Sequence, residues 1–407
     1  MNTTSNTASS GYEKLGQTGT VLAIIGAIGL GIGFFIMQGD PVRLKAVMLS
    51  YLFGWVLAML LSLGCYGFML VHYMSRGSWG KSTIRLLEAG ARALPLMFIL
   101  FVPVLIWVKV LYPWADPNRV FGNPSMGIAP DEVLRHKAGY MNHPMFVIRT
   151  IAYFAVWIGF TAILTHYSRR QDETGDIRLA AFRQKASSYG FLIYVITATL
   201  AFTDWVMSLD AHWFSTLYGF WFVDFQGLAA IAFISLIVCR NKMAHREPYD
   251  TLVDAQLTRD LGNLMLTLVM IWAYFSLSQW IIIWSGNLPE EVAYYLRRNS
   301  GAFLVVGAAN IMFSFFLPFV LLLSGHNKRT PATLASISIL VMVMRVVDIF
   351  WVVIPSGRHP IILVPTDIAG ALFAIGAFLA GFSYLVKQAP LVPVHEEQFG
   401  QEAVAHG

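Results

Sequence analysis

Charge is scarce in this chain. Of its 407 residues, 13% are Asp, Glu, Lys or Arg, about half the ~25% usual in a soluble domain. A water-soluble globular fold is excluded on that ground. Cysteine is scarcer: Cys65 and Cys239 are the only two, and they lie far apart. No Cys-x-x-Cys and no cluster at metal-ligand spacing is present, so an iron–sulfur or structural zinc site held by this chain alone is excluded. The first twenty residues, rich in Thr, Ser and Asn, lack the basic start and small-residue cleavage site of a signal peptide. They read as a frayed tail. The net charge of +5 would suggest nucleic acid in a soluble protein. Here it reads as basic loops on one face of a membrane, and no nucleic acid is expected.

What fills the chain instead is hydrocarbon: 57% of its residues are hydrophobic. Apolar runs of 18 or more residues recur, the length that crosses a bilayer as a helix. The reading is an all-α polytopic membrane protein of ten spans, near 20–38, 46–73, 93–112, 146–167, 187–210, 217–239, 261–286, 301–324, 332–354 and 366–387. The expected organisation is a tail over 1–19, a four-helix bundle over 46–210, a second over 217–354, peripheral helices at 20–38 and 366–387, and a tail over 388–407. Glycines in the first span permit close packing on a neighbour. Pro95 and Pro103 interrupt the third span and Pro318 the eighth. Seventeen Lys and Arg lie on the side carrying both tails and nine on the other. This bias predicts cytoplasmic termini and places the loop 112–144 outside, where it is a candidate for docking a partner domain.

The organising stretch is Thr203–Phe220, a short turn between two apolar runs. Asp204 and Asp224 each lie ten residues from Phe214, which predicts similar depths roughly 10 Å inside the hydrocarbon. A buried ionisable group costs at least ~2.5 kcal/mol there and usually has a partner or a role. Arg345 and Asp348 are three residues apart on the ninth span, share a face and can pair. The candidate proton path is Asp204 and Asp224 as relay carboxylates, Arg345 and Asp348 setting their proton affinity, Asp210 and His212 as the surface exit, and Tyr194 and Thr197 on the inner side. Each has a plainer reading as well. Arg345–Asp348 can be a packing ion pair, Asp210 and His212 can cap the turn, and Lys109 can snorkel.

Further inner hydroxyls and amides, from Tyr189, Asn263, Thr267, Tyr274, Ser278, Gln279, Asn310, Ser314, Ser336 and Ser338, could extend a water chain or simply bond between helices. Glu88 and Arg92, at i,i+4 spacing, read as an interfacial salt bridge. His72 and His166 sit at helix ends and make poor facing ligands for a membrane haem. Trp205, Trp213 and Trp221, with His143 on the nearby loop, could shape a quinone slot, or the tryptophans could belong to an interfacial belt. Asp204-Trp and Asp348-Ile-Phe-Trp hint at an internal repeat, although no fixed period aligns the halves.

The run Thr203-Asp-Trp-Val-Met-Ser-Leu-Asp-Ala-His-Trp-Phe-Ser-Thr-Leu-Tyr-Gly219 resembles the ActF-type membrane subunit of alternative complex III, a bacterial quinol:cytochrome c oxidoreductase. The likeness extends over most of the chain and places it with NrfD- and PsrC-like membrane proteins. It implies two four-helix bundles and a location in the bacterial inner membrane. It implies partner subunits of the ActA to ActE types, among them a sister membrane subunit, ActC, with c-type haems and iron–sulfur clusters in the partners. It implies contact with quinol (menaquinone or ubiquinone) and lipids, with no redox centre in this chain. On this view quinol is oxidised beside the sister subunit and this chain supplies scaffold and a proton path. Two alternatives stay open: a quinone-binding subunit in its own right, and a stand-alone proton-coupled secondary transporter.

Overall fold

A computed structural model of the chain describes residues 4–299, 301–358 and 361–394. The protein is an all-α polytopic membrane protein. Among the described residues ten helices are long and apolar enough to cross a membrane: α1 Thr4–Met37, α2 Pro41–Ser75, α3 Ile84–Ile106, α4 His143–Thr174, α5 Ile177–Trp205, α6 Tyr218–Met243, α7 Ala255–Gly286, α8 Phe303–Leu323, α9 Pro331–Val353 and α10 Pro365–Val386. Their starts carry the expected signals. Asp40, Asn142, Asp176 and Asp254 cap α2, α4, α5 and α7 with side-chain oxygens on free backbone N–H groups.

Two helices form the centre. The most apolar stretches of α2 and α6 are 89% and 83% buried, against 17% for α1 and α8. α2 packs on α3, α5, α6 and α10, while α6 packs on α5, α7 and α9 as well as α2. Helices α2–α5 and α6–α9 thus gather around one central seam, and α1 pairs with α10 against α2. Small residues bring these surfaces together. A Cβ on Gly64 of α2 would meet the Gln226 carbonyl of α6 at 2.0 Å, and one on Gly26 of α1 would meet the Phe373 nitrogen of α10 at 2.2 Å. Backbones approach this closely only where no side chain intervenes.

The polar start differs from the expected tail. Residues from Thr4 are helical and continuous with α1. Tyr12 is buried at 4% exposure, its hydroxyl 2.9 Å from that of Tyr249. Contact with α6 and α10 therefore overrides the polar composition of this stretch. Residues 1–3 lie outside the described residues. At the other end, Gln388 accepts from Arg92 at 2.6 Å and the Val394 N–H donates to Asp172 at 3.1 Å, so the start of the expected tail is tied to the bundle. Residues 395–407 lie outside the described residues. The described ends lie on one side of the bundle, where Tyr12 meets Tyr249 just past α6 and Val394 meets Asp172 near the end of α4; this side is called the terminal face below, and the other the hairpin face.

The third span begins at Ile84 instead of near 93. Its first turns contain Arg85 and Glu88, which are charged yet buried, and such residues hide a helix from a hydropathy reading. The helix is interrupted at Arg92–Ala93, just ahead of Pro95. In α8 a π-helical turn, Met312–Phe316, precedes Pro318. Proline lacks the N–H that the preceding turn would accept, and the widened turn accommodates this.

The loop 112–144 folds back on the hairpin. Lys137 Nζ donates to the Ala211 carbonyl at 2.7 Å, His212 Nε2 meets Asp131 at 2.8 Å, and the Tyr112 hydroxyl donates to the Trp205 carbonyl at 2.7 Å. Burial in that contact holds the Lys137 ammonium below its usual range. The loop expected as a docking arm is thus engaged, at least along these residues, by its own chain.

Candidate functional site

Asp204 and Asp224 occupy two different surroundings. Asp204 is the second-last residue of α5, whereas Asp224 lies six residues past the start of α6. From their helix ends this corresponds to roughly 1.5 Å and 9 Å of rise, so the symmetric hairpin expected from the spacing is not formed. The reason is local: α5 ends at Trp205, a short 3-10 turn covers Met207–Leu209, and the chain then crosses to Tyr218 without helix.

Asp204 is held by Arg149, which donates from Nε at 2.8 Å and from Nη2 at 3.2 Å, and by the Tyr153 hydroxyl at 2.9 Å. Arg149 also donates to the Tyr140 carbonyl at 2.8 Å and stacks over that ring. Burial and the nearby Asp204 charge push the Tyr140 hydroxyl up. A two-point guanidinium–carboxylate pair is well satisfied and fixes the ends of α4 and α5 together. Arg149 was counted above among the loop charges. It lies inside α4, two turns from its start, and is one of the nine charges assigned above to that side.

Asp224 is different. It is 4% exposed, and neither carboxylate oxygen has a hydrogen-bond partner among the described residues. Across from it on α9, Arg345 Nη1 pairs with Asp348 at 2.6 Å, and Arg345 is close enough to act electrostatically on Asp224. Asn310 of α8 donates to Asp348, and Ser314 donates back to Asn310 at 2.6 Å. The Arg345 guanidinium lies over the rings of Phe225 and Trp272, 5.3 and 5.5 Å from their centroids. The cluster thus holds two carboxylates around one cation in an apolar setting. With both carboxylates ionised it carries one net negative charge, and a single proton makes it neutral. A group of this kind can bind and release protons as a unit.

On the other side of α6, the Tyr194 hydroxyl donates to Gln226 at 2.8 Å, and Tyr66 meets the Tyr194 ring edge-on at 5.6 Å. Tyr194 lies within electrostatic range of Asp224. Below Tyr194 on the buried face of α5 come Ser187 and Arg183. Arg183 lies over the Tyr73 ring at 4.6 Å and donates to Ser168 and Gln171. Tyr73 bonds to Glu88, which pairs with Arg85 at 2.7 Å, and Arg85 also bonds to Asp172. The Glu88–Arg92 bridge expected from spacing is replaced, since Glu88 turns to Arg85 and Tyr73 while Arg92 donates to Gln388. Polar side chains therefore recur along the seam from this terminal-face cluster to Asp224. The widest step is the seven residues from Ser187 to Tyr194, roughly 10 Å of helix.

The other sequence candidates are scattered. Asp210 pairs with Arg297 at the hairpin face, and His212 is half-exposed on Asp131. Thr197 is used up, donating to the Ile193 carbonyl and accepting from Trp157 at 2.8 Å. Trp205 is fully buried between Trp55, Phe101 and Phe154, and His143 is an exposed first residue of α4. Trp213 stacks on Tyr294 at 4.0 Å. Trp221 borders a cavity of about 490 Å³ between α7, α8 and Trp351 of α9, whose lining includes none of Trp205, Trp213 and His143. The four residues grouped above as a quinone slot are thus not brought into one site. Tyr189 and Tyr274 are 63% and 64% exposed, outside the seam. Lys109 is exposed, as snorkelling requires, and His166 is exposed too.

Residues that the sequence reading passed over are Arg149, Tyr66 and Gln226, together with Arg298. The last is fully buried and donates to the carbonyls of Trp351 and Val352. Arg149 and Arg298 carried a signal, since each lies inside or beside a helical apolar pattern; Gln226 lies two residues from Asp224 in an otherwise apolar run. Among the described residues no group of three His, Cys, Asp or Glu side chains is arranged to hold a metal ion. The chain matches no family model and no curated protein.

Proposed function

We propose that this chain is a membrane subunit of a quinol:cytochrome c oxidoreductase of the alternative complex III type, and that it carries protons along the seam between its two helix groups. Two things support the reading. One is the likeness of the Thr203–Gly219 run to the ActF-type subunit. The other, which carries the proposal, is Asp224: an enclosed carboxylate without a hydrogen-bond partner among the described residues, between the Tyr194–Gln226 pair and the Arg345–Asp348 pair.

In this scheme quinol is oxidised in a sister subunit and electrons leave through partner proteins. This chain handles protons alone. A proton is taken up near Glu88 and Tyr73 at the terminal face and passes by hydroxyls and water past Ser187 to Tyr194 and Gln226. Asp224 receives it, and the positive charge of Arg345 limits how tightly it is held. Asp210, beside Arg297, lies near the release surface. With the cytoplasmic termini that the Lys and Arg bias favours, this direction is outward across the inner bacterial membrane. Asp204 takes a structural part, because Arg149 and Tyr153 already occupy its oxygens.

The Asp224→Asn variant tests this in liposomes carrying the isolated complex. Assembly and haem content should be normal, while proton movement along this path should fall by ~10²-fold, the usual contribution of a positioned proton-transfer group. Asp204→Asn should leave the number of protons moved per electron unchanged. An unchanged ratio in Asp224→Asn contradicts the scheme.

A further inference from the structure

Two arginines meet on the terminal face without an acid between them. Arg92 sits at the break in α3 and Arg169 near the end of α4, and they lie within electrostatic range of each other. Both are half-buried, and Arg169 Nε is enclosed without a hydrogen-bond partner among the described residues. Arg92 donates to the neutral Gln388 side chain at 2.6 Å. The nearby carboxylates are taken. Glu88 bonds to Arg85 and Tyr73, and Asp172 bonds to Arg85 and to the Val394 N–H. Glu88 and Asp172 balance Arg85 and Arg183, so the charge of Arg92 and Arg169 is left over. Like charges held together in a partly dehydrated place repel unless an anion joins them.

Below the pair runs an apolar track. Pro95, Ile99, Val102 and Ile106 recur at helical spacing on the exposed side of α3, starting one turn past Arg92. The track is roughly 16 Å long, about the hydrocarbon depth of one leaflet, half of ~30 Å. Helix α3 touches both α4 and α10, and each adds to the site. From α4 come Arg169 and, about two turns deeper, exposed Ala162 and Ile163. From α10 comes Tyr384, exposed and within electrostatic range of Arg92. Leu96 closes the contact with α10 at Gly381, where an added Cβ would come within 2.9 Å of Leu96 Cδ2. Every lipid-facing helix touches the bilayer. This place differs because its polar end is built, from two guanidinium groups left without a carboxylate.

We infer that Arg92 and Arg169 hold the phosphate of one anionic phospholipid, with an acyl chain along Pro95, Ile99, Val102 and Ile106. A guanidinium presents parallel N–H donors that match phosphate oxygens, and basic pockets between transmembrane helices seat anionic headgroups. The enclosed Arg169 Nε gains its acceptor, and Arg92 uses the N–H groups that Gln388 leaves free. Tyr384 stands at headgroup level, where an amphipathic ring is stable. A zwitterionic lipid brings its own ammonium and leaves the surplus charge of the pair in place. The bound lipid joins α3, α4 and α10 at their terminal-face ends. None of these residues belongs to the proposed proton path, and the inference does not use that reading.

The test is native mass spectrometry of the full chain in detergent, titrated with phosphatidylglycerol or phosphatidylethanolamine. One phosphatidylglycerol should bind at a concentration at least tenfold below that needed for phosphatidylethanolamine, and millimolar inorganic phosphate should not displace it. Arg169→Gln removes no hydrogen bond among the described residues, so it should fold, and it should raise the half-saturating concentration about threefold. Arg92→Gln with Arg169→Gln should raise it at least tenfold. Arg178→Gln, which removes an exposed arginine of the same face, should change it less than twofold. Equal binding of the two lipids, unchanged affinity in Arg169→Gln, an equal loss in Arg178→Gln, or displacement by inorganic phosphate overturns the inference.

Discussion

Asp204 and Asp224 look alike in the sequence, each a lone carboxylate in an apolar run. Their difference comes from what the facing helices bring. Arg149 reaches Asp204 from α4 because the two residues share a level where the helices touch, and Arg345 faces Asp224 from α9. Such pairings depend on helix rotation, which hydropathy does not encode. The Arg345–Asp348 pair was legible because both members sit on one helix three residues apart. Breaking the buried Arg149–Asp204 pair from one side leaves a stranded charge. Arg149→Met should destabilise the protein by about 3 kcal/mol, the lower part of the range for buried pairs, since Arg149 keeps some exposure. Arg149→Met with Asp204→Leu should recover most of that loss. Thermal unfolding in detergent would read both; a single variant as stable as the parent refutes the structural role given to this pair.

At the level of elements, the ten spans were readable because hydrocarbon thickness imposes their length. Their limits were misread where polar residues extend a helix beyond its apolar run. The Arg85 and Glu88 turns of α3 and the turns 177–187 of α5, which include buried Arg183, are examples, and α1 likewise continues back to Thr4. Neither tertiary pairing nor the Tyr12–Tyr249 contact is visible in a window of local composition. The closeness of α2 and α6 rests on Gly64, whose added Cβ would strike the Gln226 backbone, whereas Gly31 of α1 has open space around it. Gly64→Ala should cost about 1–3 kcal/mol through forced separation of the seam. Gly31→Ala should be neutral or slightly stabilising, because alanine favours a helix over glycine. Comparable melting of the two variants would contradict the central place given to this seam.

For the whole molecule, polar side chains recur along the seam from the terminal face to the Asp224–Arg345–Asp348 cluster. The proposed membership in an electron-transferring complex rests on the likeness of a run of seventeen residues and not on packing. The most direct measurement is to tag this chain, isolate it gently from native membranes, and record a redox difference spectrum with a quinol:cytochrome c activity assay. The account predicts that c-type haem absorbance and that activity co-purify with the chain. Recovery of a stable, colourless and inactive protein on its own would contradict the account and favour a stand-alone proton-coupled transporter.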